Sequence, residues 1–199
     1  MAKKWIIGID EVGRGPLAGP VTVCAVAIPR VVYKKMKWHG LTDSKKMTKV
    51  AREEWFAHAV QLQNKGTITY ALSSRSATVI DEKGIAACIR SCIASVLKKL
   101  AIDPSTCHVV LDGGLKAPAV YVSQETIIKG DLKEKAISLA SVIAKVSRDR
   151  VMEKYHKSHS VYGWNQNKGY GTTAHRNAIK AHKTTVLHRM SYLTRILDK

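Results

Sequence analysis

Gly8-Ile9-Asp10-Glu11-Val12-Gly13-Arg14-Gly15-Pro16-Leu17-Ala18-Gly19-Pro20-Val21 is the stretch on which the reading of this chain turns. Trp5-Ile6-Ile7 precedes it and Thr22-Val23-Cys24-Ala25-Val26-Ala27-Ile28 follows, so it reads as the end of a buried strand, a glycine-rich turn and a second strand. Two carboxylates, Asp10 and Glu11, thus stand where a core strand runs out. Side chains alternate along a strand, so both reach one site only if the strand bends or bulges between them, and Gly13 and Gly15 supply the freedom for that. A carboxylate desolvated at such a place needs a cation, a donor or a proton. The glycines do not suit a dinucleotide fingerprint, which needs a helix directly after them, where Pro16, Pro20 and a β-branched run stand. No Gly-Lys-Ser or Gly-Lys-Thr of a P-loop occurs in the chain.

The same device recurs downstream. His108-Val109-Val110-Leu111-Asp112-Gly113-Gly114 is again an apolar strand ending in Asp and glycines, and two such ends meet at one sheet edge if the strands are parallel neighbours. Ala119 to Ile128 reads as a further strand. Lys129-Gly130-Asp131 then stands at the entry to a helix that buries Ala136, Leu139, Ala140, Ile143, Ala144, Ser147 and Val151. The ordinary role of Asp131 there is a helix N-cap. Asp149, between Arg148 and Arg150, has natural ion-pair partners.

The rest is scaffold and charge. Pro29 to Gly40 is basic and irregular, and Thr48 caps a helix through Ala51, Trp55, Ala59 and Leu62. Lys45 and Lys46 lie in the loop before it, beside free N–H groups that suit a phosphate. Thr67 to Leu72 forms a third strand, antiparallel with the first two. A long packing helix runs from Ser76 or Thr78 to Leu100, and a short one from Thr173 to His182. Tyr170, between Gly169 and Gly171, is an exposed ring suited to stacking on a base or sugar. His156 and His159, among Lys154 and Lys157, read as phosphate-facing or solvated rather than as metal ligands.

A chain of 199 residues fits one domain. No apolar run approaches the roughly 18 residues of a membrane helix, and Met1-Ala2-Lys3-Lys4 leads into a strand without a secretory segment, so a soluble, cytoplasmic monomer is expected. Cys24, Cys88, Cys92 and Cys107 show no Cys-x-x-Cys pairing and read as small buried hydrophobes. With 33 Lys and Arg against 15 Asp and Glu, the net charge of +18 is a footprint for a polyanion, nucleic acid above all. In so basic a chain, Asp10, Glu11, Asp112 and Asp131 form a cluster of hard oxygen ligands that repel one another unless divalent cations neutralise them, which favours Mg²⁺ or Mn²⁺. Two such ions can hydrolyse a phosphodiester. The residues alone therefore indicate a metal-dependent nuclease without naming its substrate.

The opening stretch resembles the signature of type II ribonuclease H (ribonuclease HII). Asp43-Ser44-Lys45-Lys46, Leu111-Asp112-Gly113, Lys129-Gly130-Asp131, Ala140 to Arg150, Lys168-Gly169-Tyr170-Gly171-Thr172 and His188-Arg189-Met190-Ser191-Tyr192 are similar to the family's motifs, in its order. The resemblance implies a ribonuclease H-like α/β fold over residues 1–199, a mixed central sheet flanked by helices, with 160–199 a C-terminal helical segment that helps hold the duplex. It implies Asp10, Glu11, Asp112 and Asp131 as metal-binding catalytic acids. Gly13, Arg14 and Gly15 would sense the 2'-hydroxyl through the backbone, and Tyr170 would pack where ribonucleotide meets deoxyribonucleotide. The implied substrates are RNA/DNA hybrids or DNA duplexes with embedded ribonucleotides, cut on the 5' side of a ribonucleotide. Three positions depart from the family's pattern: Gly114 for its frequent Asn or Lys, Met190 for Arg or Lys, and Tyr192 for Phe. Asp149 stays open as a further metal ligand, with Asp131 favoured. Another nuclease of the same fold, or a non-catalytic basic nucleic-acid-binding protein, are the competing readings.

Overall fold

The computed structural model describes residues 3–197. Strands β1 (Trp5–Val12), β2 (Val21–Pro29), β3 (Thr69–Arg75), β4 (Cys107–Asp112) and β5 (Gln124–Ile127) form one mixed sheet in the order β3-β2-β1-β4-β5. β1 is antiparallel to β2 and parallel to β4, and β5 is parallel to β4. The helices are α1 (Arg30–Lys35), α2 (Lys49–Asn64), α3 (Ala77–Lys83), α4 (Ile85–Leu100), α5 (Gly130–Lys133), α6 (Lys135–Ser158), α7 (Trp164–Asn167), α8 (Thr173–His182) and α9 (Thr194–Leu197). None of the described helices is long and apolar enough to cross a membrane.

Alternation in the central strands makes two cores. Ile7, Ile9, Val23 and Ala25 face α4 through Cys88, Ile89, Cys92, Ile93 and Val96. Ile6, Cys24, Val26 and Ile28 face α6 and α2 on the other side. All four cysteines are free and buried. A third cluster, Leu17, Ala18, Met152, Tyr162, Trp164, Ile179 and Leu193, ties the C-terminal helices to the turn after β1.

Four local expectations are corrected. Residues 30–35 are helical, not irregular. The long helix before Leu100 is broken at Gly84, whose φ of 76° and ψ of 152° lie outside helical space, so α3 and α4 are separate elements. The strand expected from Ala119 is only four residues long, because Pro118 opens a turn that Tyr121 closes while burying its ring against the α4 face. The long helix begins at Lys135 with Glu134 as its N-cap, accepting from the Ala136 N–H, so Asp131 is not that cap.

Candidate active site

The parallel pairing of β1 and β4 ends at Ile9 opposite Leu111, so Asp10, Glu11 and Asp112 all stand just past the last pair. The expected bend between Asp10 and Glu11 is absent. The β1–β2 ladder stays in register through Val12 opposite Thr22, so Asp10 and Glu11 reach the open end of β1 without a bulge. Both still feel the charge of Asp112. The positive φ of 88° at Gly13 marks where the chain turns away, and a Cβ there would lie 2.3 Å from Arg148 Nε.

Asp131 reaches the same region from α5. Lys129 adopts φ 57°, which turns Gly130 so that its N–H donates to Asp112 Oδ1 at 2.7 Å. A Cβ on Gly130 would meet Ile137 Cδ1 at 2.6 Å. These two positions explain why the strand end and the acid are joined by Lys-Gly-Asp.

The electrostatics are those of crowded, desolvated acids. Burial, then Glu11, pushes the Asp10 carboxyl well above the usual carboxylate range, with Asp112 adding to the effect and the Ser141 hydroxyl opposing it. Burial also raises Glu11, partly offset by Arg14, whose Nη1 lies 3.4 Å from Glu11 Oε1. Burial, Asp43 and Asp112 raise Asp131, which is hydrogen-bonded to Asp43, a fifth carboxylate at the site. Among the described residues no three acidic, histidine or cysteine side chains are drawn together closely enough to enclose an ion. The donor set is nevertheless all hard oxygen, and its raised carboxyls are groups that lack positive charge, which fits a divalent cation.

Asp10 and Glu11 open into a cleft of about 460 Å³ lined also by Ser44, Lys45, Arg52, Ser141, Lys145 and Tyr170. Burial acts to lower Lys45, but Asp43, Asp10 and Asp131 outweigh it and raise it, so it stays charged. Arg52 fixes that loop by donating to the carbonyls of Ser44 (2.8 Å) and Met47 (2.6 Å). Lys46 is exposed and does not line the cleft. Arg14 and Gly114 line a neighbouring groove with Arg90 and Lys116. Asp149 does not pair with its neighbouring arginines; its partner is Lys145 at 2.9 Å, while Arg150 bonds Glu53 and Arg148 turns inward.

Tyr170 is 40% exposed on a loop tied to the first turn. The Leu17 N–H donates to the Gly169 carbonyl at 2.8 Å, and Arg148 Nη1 to the Lys168 carbonyl at 2.9 Å. Beneath lie two buried histidines. Thr185 N–H donates to His188 Nδ1 (3.0 Å), which places the His188 proton on Nε2, aimed at His175 Nε2 (3.3 Å). Trp164 Nε1 donates to that same nitrogen (3.0 Å), so His175 carries its proton on Nδ1 and offers it to the Tyr170 carbonyl (3.0 Å). His156 and His159 do not face solvent with both nitrogens: their Nδ1 atoms are buried and have no partner among the described residues.

Burial, then His175, holds His188 down at about 4. The unfolded chain titrates near 6.5, so it binds a proton the folded state refuses between those values, and stability falls as pH drops through that window. The loss approaches roughly 3 kcal/mol at pH 4. Thermal melts of wild type and His188→Asn across this range should show a shallower acid decline in the variant; parallel curves would refute the buried neutral histidine.

Residues 7–195 match the family described as Ribonuclease HII. The chain belongs to the ribonuclease HII family. A ribonuclease HII of Clostridium botulinum is 39% identical over 192 residues, covering 96% of this chain and 69% of that protein. Among solved structures, the ribonuclease H2 of Pyrococcus horikoshii OT3 superposes with a TM-score of 0.76 at 22% identity, over 98% of this chain and 97% of that one. Bst-RNase HIII in complex with Mn²⁺ gives 0.72 at 16% identity, over 99% of this chain and 70% of that one. The likeness confirms the ribonuclease H-like fold, and membership of ribonuclease HII makes the chain a nuclease hydrolase. Asp43, Ser141, Arg148 and Arg189 are parts of this ribonuclease HII cleft or its supports that their sequence settings did not single out. All four lie inside the motifs quoted above, which was the available signal.

Proposed function

We propose that this ribonuclease HII is a divalent-metal-dependent endonuclease. It hydrolyses the phosphodiester 5' of a ribonucleotide, in RNA/DNA hybrids or in DNA duplexes with embedded ribonucleotides, leaving a 5'-phosphate and a 3'-hydroxyl. The observation that carries this reading is the gathering of Asp10, Glu11, Asp112 and Asp131 around the ends of β1 and β4, in a chain of net charge +18.

Asp10, Glu11, Asp112 and Asp131 would hold Mg²⁺ or Mn²⁺, two ions in the complete site, which supply water activation and stabilisation of the leaving oxygen. Lys45 offers a fixed positive charge to the phosphate beside the acids. The backbone of Gly13, Arg14 and Gly15 senses the 2'-hydroxyl, which does not attack, so water is the nucleophile and the 3'-oxygen leaves as a hydroxyl. Tyr170 packs against the sugar at the junction, held from below by His175. Arg14, Lys46 and the C-terminal segment 160–199, of which residues 198 and 199 lie outside the described structure, add contacts to the duplex. The protein acts as a monomer, in the cytoplasm.

The test is a DNA duplex bearing one ribonucleotide, incubated with and without Mg²⁺ or Mn²⁺ beside an all-DNA control. A metal-dependent cut immediately 5' of the ribonucleotide is expected. Cutting of both duplexes would indicate a nuclease of the same fold without ribose selectivity, and binding without cleavage would indicate a non-catalytic binder.

A further inference from the structure

The turn from Gly13 to Pro20 is held from inside by two buried guanidinium groups. Arg189, wholly buried, donates to the carbonyls of Gly13 (2.6 Å), Arg14 (3.0 Å) and Gly19 (2.9 and 3.0 Å). Arg148 donates to those of Ala18 (3.1 Å) and Pro20 (2.8 Å). The Tyr192 hydroxyl adds a second donor on the Arg14 carbonyl at 3.1 Å, and its ring lies under the Arg189 guanidinium at 5.2 Å. Asp81 on α3 anchors this arm by accepting from the N–H groups of Met190 (2.7 Å) and Ser191 (3.0 Å).

This pinning has a directional consequence. The peptides are trans, so each C=O points opposite to the N–H of the next residue. With the Gly13 and Arg14 carbonyls drawn inward onto Arg189, the N–H groups of Arg14 and Gly15 face away from the protein. Neither donates to another group in the described hydrogen bonds, whereas Leu17, Ala18 and Gly19 direct theirs inward to Gly169 and Leu187. A Cβ on Gly15 would meet nothing within 4 Å, so the outer side of the turn is open. Two successive free N–H groups on an open turn form a donor pair for one oxygen.

We propose that Arg189 and Tyr192 are positioning residues for ribonucleotide selection: by holding the Gly13 and Arg14 carbonyls from below, they aim the Arg14 and Gly15 N–H groups at the 2'-oxygen of the substrate ribose. The proposal rests on the functional reading above and adds to it the residues that set the selectivity. Tyr192 stands where the family usually has Phe, so its hydroxyl is a reinforcement particular to this chain. A lysine at 189 has one compact charge and cannot fork across three carbonyls as a guanidinium does.

The test compares single-turnover cleavage, in Mn²⁺, of duplexes carrying one ribonucleotide or one 2'-fluoro nucleotide, whose fluorine accepts hydrogen bonds poorly. Loss of positioning slows the ribonucleotide duplex and spares the fluoro one, whereas a general structural defect slows both alike. Arg189→Lys should reduce the ribo-to-fluoro rate ratio about tenfold and Tyr192→Phe about threefold, the scale of one lost hydrogen bond. An unchanged ratio in folded Arg189→Lys overturns the proposal. If that variant does not fold, Tyr192→Phe, which carries the family's usual residue, decides by the same criterion. Wild type failing to cut the ribonucleotide duplex at all would instead overturn the functional reading on which the proposal stands.

Discussion

Asp10→Asn is expected to lower the cleavage rate by at least ~10³-fold, because it removes an anionic group proposed to hold the ions of the reaction, while making the metal-free protein more stable. The second half follows from the electrostatics. Asp10 is 6% exposed, and burial followed by Glu11 raises its carboxyl well above the usual carboxylate range. The folded state therefore binds this proton more tightly than the unfolded chain does. Above both values the ionised acid destabilises the fold, and that penalty disappears as pH falls through the raised value. Asn keeps the shape and the Ser141 contact without the charge. Its melting temperature should thus exceed wild type at neutral pH, and the gap should close in acid. Added Mg²⁺ or Mn²⁺ should stabilise wild type and not the variant. Asp149→Asn is the contrast: that carboxylate is answered by Lys145 at 2.9 Å, so turnover should stay within a few-fold. Near-normal cleavage by Asp10→Asn, or loss of cleavage only in Asp149→Asn, would show that the acids are misassigned.

Gly8→Ala should cost about 4 kcal/mol or more, at the upper end of single substitutions. Gly8 lies at the centre of β1, opposite Val26 of β2 and Val110 of β4. An added Cβ would sit 2.1 Å from the carbonyl carbon of Ala136, 2.2 Å from its oxygen and 2.5 Å from the Ile137 nitrogen. All three are main-chain atoms of the first turn of α6, so no side-chain rotation relieves the clash and the helix itself must lift from the sheet. That helix carries Ser141 to Asp10 and follows α5, the helix of Asp131, so cleavage should fall with stability. Gly15→Ala meets open space and should change stability by no more than about 0.5 kcal/mol. Urea unfolding of the two variants beside wild type gives both values, and equal midpoints would refute the close approach of β1 and α6.

The local features that proved legible are those written in short-range chemistry. Continuous apolar runs over β1 and β2, with carboxylates and glycines at the ends of β1 and β4, were enough to foresee buried strands with acids at one sheet edge, and the family resemblance implied the mixed sheet. Thr48 caps α2 as its position implied, its side chain accepting from the Ala51 N–H. Where conformation departs from periodicity, the reading failed. Gly84 splits a helix whose apolar face runs on through it, and Glu134 separates α5 from α6 although the apolar spacing hides the break.

Residue order by itself determined the central strands, the carboxylates at their ends and the family, because each depends on the kind and spacing of neighbouring residues. Only the tertiary structure decided that Asp10 and Glu11 reach the sheet end without a bulge, why Asp149 belongs to Lys145, and what Arg148 and Arg189 do. Both arginines sit in basic segments that look like surface charge, yet their acceptors are main-chain carbonyls 128 and 170 residues away. A backbone carbonyl is the same in every residue, so no pattern in the chain marks which ones a buried guanidinium will find; packing of the C-terminal helices against the first turn selects them.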